Sequence, residues 1–300
     1  MLSALFEVIL PVLIIASVGV LLGRTYHLDG DTIGKVNLYG FTPFLAFDSL
    51  MKSEVSLDEA FWLVTSYLLV ALVLALISFG VTVGLPGRTR RGVTGAAIIG
   101  NNGNFGLPIA LLALGQAGLD QAIVIFLTSL VVMFTVGPML FGAHGGGLLS
   151  PVLILAKLPV TWAMLLALAL RVGGWTLPVG ITRGTELLAA GAVPLILLAL
   201  GVQLAQSRKV HLSRPIVSAL VLRVVLSPAL ALAAGLVLPL STLAWQSLLL
   251  ACAMPTAVNA FMLAREYGSD PDTAASAVAL STLCSIFTLT LVIAWLPLLA

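Results

Sequence analysis

Gly100-Asn101-Asn102-Gly103-Asn104-Phe105-Gly106-Leu107-Pro108 stands in the middle of an otherwise apolar run from 92 to 115. Three asparagines, three glycines and a proline cannot continue an ordinary helix. Pro108 lacks an N–H and crowds the preceding turn, while the glycines permit unwound backbone. In hydrocarbon, each N–H or C=O released in this way is costly unless protein or water pairs it. A second, milder interruption is Ala253-Met254-Pro255-Thr256-Ala257-Val258-Asn259, with one proline and two polar side chains. Two broken helices, numbered 4 and 9 in the span order below, are therefore expected.

The 300-residue chain around these breaks is 60% apolar and 9% charged, with a mean hydropathy of +1.16. A soluble domain carries roughly a quarter of its residues as Asp, Glu, Lys and Arg, so composition alone places this chain in a membrane. At about 20 apolar residues per crossing, its length holds about ten spans and leaves no room for a soluble catalytic domain. The predicted fold class is an all-α polytopic membrane protein with ten transmembrane helices, near 3–23, 32–51, 59–84, 92–115, 119–142, 151–171, 184–206, 214–238, 243–266 and 272–297. Ser150-Pro151 and Asp270-Pro271 each put a capping side chain before a proline at the first helical position, which marks two starts. With the N-terminus outside, the cytoplasmic connections collect ten basic residues (Arg24, Lys35, Arg88, Arg90, Arg91, Lys157, Arg208, Lys209, Arg214 and Arg265) and the opposite side three (Lys52, Arg171 and Arg183). Positive charge is retained in the cytoplasm, so this bias predicts a bacterial inner membrane protein with both termini periplasmic.

Composition excludes other classes. The 14 basic and 12 acidic residues form no stripe that could follow a phosphate backbone, so no nucleic-acid partner is expected. Cys252 and Cys284 lie in apolar helices without a CxxC or histidine companion, which gives neither a disulfide frame nor a metal site. The first residues, Met1 to Phe6, lack a basic n-region, so the first helix is expected to be retained.

Ordered identities point to an internal repeat. Leu127-Thr-Ser-Leu-Val-Val-Met-Phe-Thr135 aligns without a gap on Leu280-Ser-Thr-Leu-Cys-Ser-Ile-Phe-Thr288. Pro11, Pro43 and Pro108 recur as Pro159, Pro194 and Pro255 in the same helical order. Each half, 1–145 and 146–300, has five spans, an odd number, so the second enters the membrane from the opposite side. Inverted repeats of this kind build secondary transporters, and broken helices at matching positions point to the site. If the breaks cross, the second part of each helix offers a positively polarised N-terminus to an anion. The candidate substrate-binding residues are Asn101, Asn102, Gly103, Asn104, Pro108, Ser129, Pro255, Thr256 and Asn259. A proline kink, with asparagines bonding neighbouring helices, is the plainer account of the same residues.

Pro255-x-x-x-x-x-Phe261-x-x-Ala264-Arg265-Glu266-Tyr267-x-x-x-Pro271-Asp272, followed by Ser276-Ala277-Val278, resembles the C-terminal motif of the auxin efflux carrier family. Asn101-x-Gly103-x-x-Gly106-Leu107-Pro108 is similar to the helix 4 motif of its bacterial members. The resemblance spans essentially the whole chain. It implies a transporter with a scaffold and an elevator-like transport part, crossing helices 4 and 9, and organic-anion substrates such as auxin or dicarboxylates. The plant carriers have a long hydrophilic loop between the halves, where this chain has only His144 to Ser150. They also resemble one another in an Asp followed four residues on by Lys at the start of helix 3; Asp58 fits the acid, but Trp62 stands at the second position, which favours Asp58 as a helix cap.

Charges within spans carry a functional default. Asp48 is one turn from Lys52, so an i,i+4 pair competes with a proton or sodium role. Arg223 is ten positions into helix 8, roughly 15 Å deep, and is expected to meet an acid or backbone carbonyls. Thr128 and Ser129, the repeat mates of Ser281 and Thr282, face the site or bond their own helix. Gln203 reads as a polar helix terminus. The expected activity is carriage of a small organic anion across the lipid bilayer without a cofactor, as a uniporter or with sodium or proton coupling left open; a homodimer is compatible. A sodium-coupled bile-acid-type symporter is the alternative, and it calls for acids near the breaks. An intramembrane enzyme needs Ser/Lys, paired Asp or metal histidines within spans, whereas His27, His144 and His211 all fall in connections.

Overall fold

The computed structural model describes residues 4–26, 28–142, 153, 156–205 and 211–299. Among them the regular elements are helical, and one isolated β-bridge joins Gly100 to Thr256. The first part of the chain forms α1 (Leu10–Thr25), α2 (Gly30–Lys35), α3 (Thr42–Lys52), α4 (Leu57–Val81), α5 (Gly87–Ile98) and α6 (Leu107–Phe141). The second forms α7 (Pro159–Val172), α8 (Val179–Ala205), α9 (Arg214–Leu220), α10 (Ser227–Val237), α11 (Thr242–Cys252), α12 (Val258–Glu266) and α13 (Pro271–Trp295).

Six helical stretches among the described residues are long and apolar enough to cross a membrane: Phe6–Thr25, Leu57–Val81, Asn102–Phe141, Val179–Ala205, Arg214–Val237 and Pro271–Leu299. The other predicted spans depart from this in different ways. The second runs without a gap through α2, a π-helical turn and α3, but Asp31, Lys35, Asp48 and Lys52 make it less apolar than the six. The fourth is interrupted between α5 and Asn102, and the ninth between α11 and α12. The fourth and fifth run together through α6, which bends at Gly115 (φ 69°); no proline or charge ends the helix there, and it resumes at once. Of the sixth, the described residues include the 14-residue apolar helix Pro159–Val172, while the expected start at Ser150-Pro151 and residues His27 and His144 lie outside the described residues. The start at Asp270 is found: its side chain accepts the Thr273 N–H at 3.0 Å, with Pro271 opening α13.

Four π-helical turns share one sequence cause. Ala4–Ile9, Val36–Phe41, Asn102–Gly106 and Val221–Leu226 each end two residues before a proline, namely Pro11, Pro43, Pro108 and Pro228. A proline ring crowds the carbonyl four residues back and brings no N–H to it. Widening the turn by one residue relieves that clash within a continuous helix.

The helices associate in two groups. In one, α1 packs along α8, and α3 packs on α7 and α8. In the other, α4, α5 and α6 pack with α9 to α13. Bulky side chains such as Leu72, Leu76, Phe287 and Leu291 point outward, as lipid-facing residues do. The α1–α8 contact depends on small residues: a Cβ on Gly201 would strike the Ala16 carbonyl, and one on Gly19 the Leu198 carbonyl. Close backbone approach of this kind is how helices associate where lipid removes the hydrophobic drive. Gly201→Ala is therefore expected to cost about 1–3 kcal/mol through overpacking. The check is a lower thermal unfolding midpoint in detergent than for a control such as Gly34→Ala, whose Cβ would meet open space.

Candidate functional site

The two interruptions meet. The Asn101 N–H donates to the Pro255 carbonyl at 2.8 Å, and the Ala257 N–H donates to the Ile99 carbonyl at 2.9 Å. These bonds flank the Gly100–Thr256 bridge, so each break completes the backbone pairing of the other. At the end of α5 every carbonyl from Ala96 to Ile99 is accounted for. Ala96 accepts the Thr256 hydroxyl at 2.9 Å, Ala97 accepts Arg223 at 3.2 Å, Ile98 accepts the Gly100 N–H at 3.0 Å and Ile99 accepts Ala257. At the end of α11, Ala251 and Met254 accept Arg223 at 3.2 and 2.7 Å, and Cys252 accepts the Ser227 hydroxyl at 2.8 Å. The Thr256 N–H donates to Ser281 Oγ at 3.0 Å.

A cavity of about 400 Å³ opens beside this crossing. Asn101, Gly103, Asn104, Ser129 and Asn259 line it. Asn101 caps the turn that follows, its Oδ1 accepting the Asn104 N–H at 3.1 Å. Phe126 covers Gly103, where a Cβ would come within 2.7 Å of the ring. Asn259 is exposed and donates to the Met133 sulfur at 3.2 Å. The Ser129 hydroxyl donates to the Phe126 carbonyl at 2.6 Å and that of Thr128 to Val124 at 2.8 Å, so both bond their own helix, but only Ser129 borders the cavity.

Four of the sequence-derived residues lie off the cavity wall. Asn102 is buried and donates to the Tyr67 hydroxyl at 2.9 Å, and Pro108, Pro255 and Thr256 are buried in the crossing itself. Asp48 is also apart from the cavity, paired with Lys52 at 2.8 Å, while Lys52 reaches Glu186 at 2.9 Å. Partly exposed pairs of this sort contribute little. Arg223 meets backbone carbonyls and no carboxylate among the described residues.

Sequence reasoning missed Asn37, Tyr67 and Gln203 on the cavity wall. Asn37 and Gln203 each hold a buried side-chain oxygen without a hydrogen-bond partner. For Asn37 the available signal was an amide between apolar residues on a predicted span; Gln203 looked like a helix end because the charged stretch after it is close. The cavity wall is thus rich in uncharged amides and also includes Lys35 and Glu266.

Helices that cross a bilayer, a paired interruption and an amide-lined cavity beside it define a multi-pass membrane protein of the transporter class. Residues 148–293 match the family model described as "Membrane transport protein". A relative named "Uncharacterized transporter" from Methanothermobacter thermautotrophicus is 30% identical over 297 residues, covering 95% of this chain and 96% of the relative. A relative named "Putative malonate transporter" from Rhizobium meliloti is 28% identical over 298 residues, covering 94% and 92%. The chain belongs to this membrane transport protein family, that of the auxin efflux carriers.

The family-like motif around Asp270 has a structural explanation at the start of α13. Arg88 donates to the Gly268 and Ser269 carbonyls at 2.9 and 3.2 Å, and Ser269 returns a bond to the Arg88 carbonyl at 2.9 Å. The Thr89 hydroxyl donates to Asp270 at 2.9 Å. This strap ties the start of α5 to the start of α13. Burial pushes the Asp270 carboxyl up, but donation from the Thr273 N–H and hydroxyl and from Thr89 outweighs it and holds the group below its ordinary value. A depressed carboxylate stabilises the fold above the unfolded pKa of about 3.9, and that contribution is lost as pH falls through the folded value. Asp270→Ala should therefore reduce stability at pH 7 by about 1 kcal/mol for the lost cap, read as a lower unfolding midpoint. The gap to wild type should narrow in a series of melts below about pH 4; a gap independent of pH would contradict this account.

Proposed function

We propose that this chain is a secondary active transporter or uniporter for small organic anions, carboxylates such as malonate or auxin-like acids, working as an efflux carrier by elevator-like alternating access in the bacterial inner membrane. The observation that carries the reading is the mutual hydrogen bonding of the two breaks beside an amide-lined cavity. The Asn104 N–H is taken by Asn101 Oδ1 and the Ala260 N–H by the Ala257 carbonyl, which leaves the N–H groups of Asn102, Gly103, Val258 and Asn259 at helix starts with no intrahelical acceptor, where negative charge is favoured. Asn101, Asn104 and Asn259 add donors that hold a carboxylate without a fixed countercharge.

In this reading the chain has ten spans in two inverted five-helix halves, 1–145 and 146–300, with helices 4 and 9 crossing. What supports it is that α5 with the first arm of α6, and α11 with α12, are each interrupted at the positions the repeat equates, and that the bend at Gly115 divides α6 where the fourth and fifth spans were separated. The separate packing of α1, α3, α7 and α8 supports a scaffold against which the other helices move. The cavity extends from the breaks to Gly30, Lys35 and Glu266, which the charge bias assigns to the cytoplasmic side. That direction supports an inward-open state with both termini periplasmic. The relative named as a malonate transporter supports small dicarboxylates among the substrates.

Asn101→Ala, Asn104→Ala and Asn259→Ala are each expected to abolish the thermal stabilisation that malonate or indole-3-acetate gives the purified protein, with expression retained. Unchanged affinity in all three variants would overturn the site. Repeating the wild-type measurement with and without sodium, and at two pH values, separates a uniporter from sodium or proton coupling.

A further inference from the structure

Arg223 is 2% exposed and lies deep in the helix formed by α9, a π-turn and α10. Its guanidinium spans both breaks, donating to Ala97 at the end of α5 and to Ala251 and Met254 at the end of α11. Among the described residues no carboxylate pairs with it. Between the guanidinium and the cavity stands Gly100, which lines the cavity on one side. On its other side a Cβ would come within 2.6 Å of the guanidinium carbon. A single glycine thus separates a permanent cation from the proposed substrate space.

The charge balance of a broken helix makes this position consequential. Each interruption places a C-terminus of about −0.5 charge beside an N-terminus of about +0.5. The two breaks together therefore sum to about zero, and first-turn N–H groups alone give the crossing direction without net charge. Arginine keeps its proton in proteins. Seated on the two C-termini, Arg223 cancels them and leaves both N-termini uncompensated, a net charge of about +1 next to the cavity.

We propose that Arg223 sets the ionic class of the substrate: it makes the crossing complementary to one carboxylate group at a time, and selects anions over neutral molecules of the same shape. This inference rests on the carboxylate reading given above. Arg223 acts through the helix ends and does not touch the substrate, so it is a positioning residue for charge.

The test compares acids with their neutral amides on the full chain in detergent or nanodiscs: malonate against malonamide, and indole-3-acetate against indole-3-acetamide. Wild type should bind an acid at least about tenfold more tightly than its amide, the change that about 1.4 kcal/mol produces. Arg223→Met should reduce that acid-to-amide ratio by about tenfold or more, and Arg223→Lys, which keeps the charge but loses the fork, should retain most of it. A merely structural arginine would weaken acid and amide together and leave the ratio fixed, which overturns the inference while the site stands. If the Arg223→Met protein does not fold, Arg223→Gln, which can still donate to the carbonyls but carries no charge, is measured in the same way: an unchanged acid-to-amide ratio overturns the inference, as does equal affinity for acid and amide in the wild type. Binding of neither acid overturns the carboxylate reading, and this inference with it.

Discussion

Backbone carbonyls released inside a membrane must find donors, and the centre of this protein is organised around that requirement. Asn101 and Ala257 donate across the two interruptions, and Thr256, Ser227 and Arg223 take the remaining helix-end carbonyls. The bonds of Asn101, Ala257 and Thr256 exist only because the two breaks lie side by side. A polar, irregular segment is tolerated at membrane depth only where protein or a water-filled cavity satisfies it. Here protein satisfies the carbonyl side, and the cavity adjoins the N–H side. The asymmetry is chemical: the buried face has its acceptors filled, and the face beside the cavity has donors to offer.

The sequence makes the breaks legible because prolines, glycines and asparagines in an apolar run have a direct local cost. Asp270 before Pro271 is legible for the same reason, as a cap beside a residue that needs no N–H. What pairs with what is less visible. The depth of Arg223 announced a buried partner, but the choice between an acid and carbonyls depends on where α5 and α11 end in space, which no local pattern encodes. Asn102 reads like its neighbours and yet turns to Tyr67, because successive positions on a helical turn point in different directions. Gln203 reads as a helix end, but its carboxamide borders the cavity because α8 packs beside Asn102–Gly106. The boundary between the fourth and fifth spans, expected at 115, coincides with the bend at Gly115, but no connecting turn follows: a single glycine with positive φ bends the chain and the helix resumes at once.

The π-turns extend the same logic to helices that do not break. A proline preceded by a widened turn keeps the chain helical, as at Pro11, Pro43 and Pro228. At Pro108 the widened turn is Asn102–Gly106 itself, so one device serves both as relief for the proline and as the wall of the cavity. The difference lies upstream. Gly100 and Asn101 let the chain leave the helix and pair with Thr256 and Pro255, whereas the residues before the widened turns at Pro43 and Pro228 remain helical.

The two helix groups touch at few polar points, which bears on how they could move. Ser49 on α3 donates to Asp120 on α6, and Gln116 donates to the same carboxylate at 3.0 Å from one turn away. Because Gln116 belongs to the same helix as Asp120, the carboxylate keeps a partner when the contact with Ser49 is broken. On the proposed alternating-access reading, sliding one group past the other would therefore sacrifice a single hydrogen bond here and strand no charge. The crossing behaves differently: Arg223, on the helix of α9 and α10, and all its acceptors, on α5, on α11 and in the segment just after α11, lie within one group. Its charge would travel with the part of the cavity wall that the crossing supplies, while α2, α3 and α8 supply the opposite part, so that an anion held at the crossing would keep Arg223 beside it on both sides of the membrane.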